Sequence, residues 1–151
     1  MIHIEINPTL KEPIRADIME EAAHAALEEQ SAPRDAALTI LLTDDAQLQS
    51  LNRDYLGIDA PTDVLSFPAH ERDPETDTIY LGDIIVSLPS AAKQAQAGGH
   101  PLEAEIQLLI VHGVLHLLGH DHAEDGEKAQ MWNEQAKILA RLGLSEIEIQ
   151  E

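Results

Sequence analysis

The chain has 151 residues, of which 44% are apolar, enough for a single core and too many for a disordered chain. Nine Lys and Arg stand against 28 Asp and Glu, and the resulting net charge of −19 excludes nonspecific coating of DNA and a polybasic membrane-surface role. There is no cysteine, hence no disulfide framework and no thiolate ligand or nucleophile, and one Phe, one Trp and two Tyr argue against a base-stacking platform.

Ile2, Ile4 and Ile6 alternate with polar residues, the pattern of a half-buried strand ending at Pro8. This start lacks the cationic region of a signal peptide, and no apolar run nears the roughly 20 residues of a membrane helix. The expectation is a soluble, cytoplasmic protein. Residues 14–30 read as a helix with Ile14, Ile18, Ala22, Ala25 and Ala26 on one face. Ala36 to Thr43 reads as a buried strand, and Thr43 or Asp44 caps a helix carrying Leu48, Leu51 and Tyr55. Val64 to Phe67 is expected to be a short strand stopped by Pro68, and the acidic segment His70 to Thr78 a surface loop. A fourth strand spans Ile79 to Leu88 with a Gly82-Asp83 break. Ser87 or Ser90 then opens a short helix ending near Gly98 and Gly99.

From Pro101, expected at a first helical position, to Leu118 the chain is apolar on nearly every side, which predicts a central buried helix. A last helix from Asp125 to Leu142 stops at Gly143. No repeat, linker or second domain interrupts residues 1–151. The predicted fold is therefore α+β: one compact domain with a small mixed sheet of about four strands, packed by helices.

Four of the eight histidines fall within residues 112–122, in the run His112-Gly-Val-Leu-His116-Leu-Leu-Gly119-His-Asp-His122. His112 and His116 are one helical turn apart on the same face. Two imidazoles among leucines are costly without partners, and a shared metal ion removes that cost. Gly119 can take the left-handed conformation that ends a helix, which lets His122 return toward the other two. Three imidazoles with one open position make a catalytic zinc site, so His112, His116 and His122 are the candidate ligands of one Zn2+ per chain. His120 is expected to point elsewhere, and Asp121 is a candidate acceptor for a ligand N–H. His3, His24, His70 and His100 default to surface or core.

The same spacing occurs in metzincin proteases, which need a Glu directly after the first His as general base. Gly113 occupies that position here, which argues against peptide hydrolysis. A mid-helix glycine costs about 1 kcal/mol against alanine. Close approach of a substrate or a neighbouring strand at Gly113 is the expected compensation.

The run from His112 to His122 resembles the signature of the bacterial YbeY family of single-strand-specific endoribonucleases. The resemblance extends through Leu51-Asn52-x-x-Tyr55, Pro61-Thr62-Asp63-Val64-Leu65-Ser66-Phe67, Leu81-Gly82-Asp83-Ile84 and the helix carrying Glu127, Met131 and Glu134. It covers nearly the whole chain beyond about residue 36. It implies zinc on the three histidines, and action on RNA in 16S rRNA 3′-end processing and ribosome quality control. The implied partners are rRNA, the small ribosomal subunit and a ribosome-associated GTPase.

Leu56 departs from the pattern, since such proteins commonly carry an arginine there. Arg53, one turn away, is the candidate replacement and, with Asp121, a candidate catalytic residue; an ordinary exposed helix arginine is the competing reading. Arg34, Arg53, Arg72 and Lys93 are candidate cations for a local basic groove against the overall charge. Ser66, in an extended segment able to line a groove by backbone pairing, and Lys93 are the candidate substrate contacts. Thr62 and Asp63 fit turn chemistry better than catalysis, and Asp83 a strand bulge. Two other functions stay open: a metallohydrolase with another substrate, and a zinc-containing ribosome-assembly factor without catalysis.

Overall fold

Alternation, apolar runs and capping residues resolve into elements much as their chemistry requires. The computed structural model describes residues 1–121, 124–145 and 147. Its strands are β1 (Ile2–Ile6), β2 (Ala37–Thr43), β3 (Val64–Arg72) and β4 (Ile79–Ser87). Its helices are α1 (Ala16–Glu29), α2 (Asp45–Leu56), α3 (Leu88–Gly98), α4 (Leu102–Leu117) and α5 (Asp125–Arg141). The strands form one mixed sheet in the order β1-β2-β4-β3, with β3 alone running antiparallel to its neighbour. The expected α+β architecture is the observed one.

Alternate side chains of the strands serve two faces of the sheet. Leu38, Ile40, Leu42, Ile84 and Val86 enter the main core with α1 and α4. Leu41, Leu65, Ile85 and Phe67 meet Leu48 and Leu51 of α2 in a second, smaller cluster. α4 lies at the centre and touches α1, α3, α5, β3 and β4. Ile106, Ile110, Val111, Val114, Leu115 and Leu117 have no exposed surface, and full burial of each such side chain stabilises by about 1.5–3 kcal/mol.

The caps divide the chain as their side chains allow. Asp44 accepts the Gln47 N–H at 2.9 Å and starts α2. Ser87 caps α3, and the hydroxyls of Ser87 and Ser90 both donate to Asp45 at the start of α2. Pro101 sits at the N-cap of α4 and not inside its first turn.

A second expectation is corrected in the sheet. Pro68 does not stop the third strand, which continues to Arg72, so residues 70–72 belong to the sheet and not to the loop. β3 is an edge strand, where the missing N–H of a proline leaves no central ladder bond unmade. Ala69 and His70 bulge past Leu81, the register resuming with Glu71 opposite Tyr80. Gly82, at the shift, has φ +143°, and a Cβ there would lie 2.2 Å from the Phe67 carbonyl oxygen.

The mid-helix glycine has its explanation in β4. A Cβ on Gly113 would come within 2.7 Å of Cγ2 of fully buried Ile84, so the close neighbour is a strand. Gly113→Ala is therefore expected to lose about 1–2 kcal/mol of stability despite alanine's better helix propensity. Urea unfolding checks it: adding Ile84→Ala should cost less in that background than in the parent, and an unshifted midpoint for Gly113→Ala would refute the packing argument.

Candidate metal centre and cleft

Helical periodicity places Glu105, Leu108, Leu109, His112 and His116 along one side of α4. On α5, Lys128, Trp132 and Gln135 share a side by the same spacing. With β3 and α3 these faces enclose a cleft of about 830 Å³. Beyond Leu102 and Glu103 in its first turn α4 is buried, except that this side leaves His112 and His116 half exposed.

The two imidazoles meet edge to face with centroids 4.7 Å apart, and their Nε2 atoms are 3.1 Å apart. Nδ1 of His112 lies 3.0 Å from Oε1 of Gln135, and the Trp132 ring stands edge-on to His112 at 5.8 Å. Two Zn–N bonds of about 2.0–2.1 Å at a tetrahedral angle put their nitrogens roughly 3.3 Å apart. The convergent Nε2 pair thus has the spacing and donor chemistry of two zinc ligands. Among the described residues, no group of three or more His, Cys, Asp or Glu side chains is placed to hold a metal. The third sequence candidate, His122, lies outside the described residues.

The turn after α4 follows the glycine. Gly119 has φ +100°, and the His120 N–H bonds back to the Leu115 carbonyl at 3.0 Å. His120 points away from the histidine pair, its Nε2 meeting Oε1 of Gln30 at 2.7 Å, as expected from its position. Asp121 is exposed at the end of this turn.

The other candidates divide. Ser66 lines the cleft and donates its hydroxyl to the Gly113 carbonyl at 3.3 Å, tying the edge strand to the histidine helix. Lys93 lines the cleft from α3. Arg53 does not: it lies exposed on α2, with Nε 3.2 Å from Asp54 and a guanidinium nitrogen 3.3 Å from the Ser50 hydroxyl. Leu56, one turn on, does line it. Asp63 accepts from the Val64 N–H and from Gln94, and Asp83 accepts from the Tyr80 hydroxyl, so both make structural bonds.

Sequence reasoning missed Gln135, Trp132, Lys128 and Glu105. The signal for α5 was its 128, 132, 135 spacing, whose meaning depends on which helix it faces. His100, which the sequence left as a surface or core residue, lies with its Nε2 2.6 Å from Oε1 of Glu105, both side chains nearly buried.

Both signs of charge line the cleft. Burial alone would raise the Asp45 carboxyl, but hydroxyl donation from Ser87 and Ser90 and the charge of Lys93 hold it below its ordinary value. Glu105 goes the other way. Burial pushes its carboxyl up, the bond and charge of His100 offset part of that, and Asp63 adds to the rise.

The family model described as Endoribonuclease YbeY matches residues 4–143. The match takes in the second half of β1 and all of α1, which the motifs beyond about residue 36 did not reach. An Endoribonuclease YbeY of Carboxydothermus hydrogenoformans is 46% identical over 129 residues, 85% of this chain and 86% of its own. One from Halalkalibacterium halodurans is 43% identical over 150 residues, 94% of each chain. The solution structure of TM1509 from Thermotoga maritima is similar at a TM-score of 0.61 and 28% identity, covering 98% of this chain and 97% of that one.

Glu105 generates a pH prediction. A carboxyl raised in the folded state keeps its proton where the unfolded chain has lost it, so its contribution to stability falls as pH rises from the ordinary carboxylate value through the folded one. Glu105→Gln should remove that component, gaining stability relative to the parent at pH 7 and little at pH 4. Urea midpoints of the two proteins across this range provide the check; a constant difference would contradict it.

Proposed function

The chain belongs to the endoribonuclease YbeY family, and from that premise we propose that it is a zinc-dependent, single-strand-specific endoribonuclease of 16S rRNA 3′-end maturation and ribosome quality control. The observation that carries the reading is the Nε2 pair of His112 and His116, spaced for a common ion and facing an open cleft. His112, His116 and His122 hold one Zn2+, and Asp121 accepts an N–H from a ligand imidazole. Bound there, the ion supplies Lewis-acid stabilisation of charge on a phosphate and a source of hydroxide near neutral pH.

The chain's own groups position the RNA. β3 is the last strand of the sheet, and the outer edge of a sheet is where an extended strand can pair. Single-stranded RNA has bases free to meet such an edge, which a duplex withholds. Ser66 fixes that edge against the histidine helix. Lys93 holds a phosphate inside the cleft, and Arg53, outside it on α2, is the candidate to hold the next one. Arg53 must first leave Asp54, and an exposed pair of this kind is worth only about 0–1 kcal/mol.

Net charge decides where affinity comes from. At −19 the chain repels RNA at long range, so the small ribosomal subunit and a bound GTPase present the substrate. That charge also favours the second reading, an assembly factor without catalysis. Peptide hydrolysis lacks a carboxylate beside His112, because Gly113 stands there.

Cleavage of a labelled single-stranded RNA resembling a 16S rRNA 3′ end, by the parent and His116→Ala prepared identically, tests the proposal. The variant should lose at least about 100-fold in rate and its bound zinc. Parent activity on free RNA should fall at least about tenfold between 50 and 200 mM salt. Equal cleavage by both proteins would indicate a contaminating nuclease and refute the proposal. Cleavage by neither, even on small subunits, would favour the assembly-factor reading.

A further inference from the structure

Among the described residues, one buried side-chain polar atom has no hydrogen-bond partner, Nε2 of Gln135. Gln135 is 1% exposed, and its other amide atom, Oε1, lies 3.0 Å from Nδ1 of His112. A buried donor left unmade is costly and calls for an explanation. The residue beside it supplies one.

An amide oxygen can only accept, so in this orientation the proton of His112 is on Nδ1 and the Nε2 lone pair faces the Nε2 of His116 at 3.1 Å. Turning the amide over would put a donor against Nδ1, move the imidazole proton to Nε2 and block that atom as a ligand. One amide–imidazole hydrogen bond is made in either arrangement, and one amide atom is orphaned in either. Trp132, edge-on to the His112 ring at an interplanar angle of 84°, limits the alternative of rotating the ring itself. A carboxylate at position 135 could not turn over to a donor, because both its oxygens accept.

We propose that Gln135 is the positioning residue of the histidine pair: with its amide oxygen on Nδ1 it presents Nε2 of His112 to a metal, and because an amide can also turn over it does so less firmly than a carboxylate would. The metal half rests on the zinc reading above; the tautomer half stands on this chain's atoms alone. Ligand imidazoles in general are oriented through their second nitrogen, and loss of that partner typically costs 10–100-fold in metal affinity.

The experiment compares the parent with Gln135→Glu, Gln135→Leu and His116→Ala. Zinc affinity comes from competition with a chelator, and the tautomer of His112 from its ring nitrogen shifts in the metal-free protein. Gln135→Glu should bind zinc about tenfold more tightly and hold His112 with its proton on Nδ1. Gln135→Leu should bind about 10–100-fold more weakly and give mixed tautomers. Unchanged affinity in both variants, with an unchanged His112 signature, would overturn the inference. If Gln135→Leu does not fold, the near-isosteric Gln135→Glu decides the matter. Parent-like zinc binding by His116→Ala would overturn the zinc reading instead, and the metal-free signature of His112 would still judge Gln135.

Discussion

α4 has to be buried on almost every side and yet show two imidazoles to solvent. The rest of the structure follows from that conflict. Its apolar residues need α1, α3, α5 and the sheet around them, and the cleft between α3, α5 and β3 is what leaves the His112–His116 side half exposed. Gly113 resolves part of the conflict. Without a side chain there, Ile84 can press β4 against the helix beside the first histidine, and Ser66 of β3 can reach the Gly113 carbonyl. The same missing side chain removes the position that carries a general base in metal-dependent peptidases.

The cleft's electrostatics show a comparable division of labour. Asp45 is tied to two hydroxyls and lies near Lys93, Asp63 to a backbone N–H and Gln94, and Glu105 to His100. These acids join the start of α2, the 61–63 segment and the first turn of α4 to their neighbours. Their hydrogen bonds hold the cleft wall together, while cations at Lys93 and Lys128 lie on α3 and α5. Such a wall tolerates a polyanion only where a cation or a partner compensates. This agrees with an RNA substrate delivered by a larger assembly.

Much of this was legible in the chain. Strand and helix positions came from alternation, from the run of leucines around the histidines and from the capping residues Asp44 and Ser87. The exception was Pro68, because whether a proline ends a strand depends on whether that strand lies at an edge, and sheet order is not a local property. The histidine spacing announced a paired face, and Gly113 announced a close neighbour without saying which.

The sequence by itself determined that His112 and His116 share a helical face, that Gly119 turns the chain after them, and that one buried helix carries both. These depend on residues within a turn or two of each other, where the backbone geometry is the same in any fold. Only the tertiary structure decided that Ile84 is what fills the space at Gly113 and that Gln135 holds the second nitrogen of His112. It also left Arg53 outside the cleft, bonded to Asp54. Those outcomes depend on how α2, α5 and the sheet pack around α4, and packing between distant segments is set by the complementary shape of whole faces, which no short stretch of sequence contains.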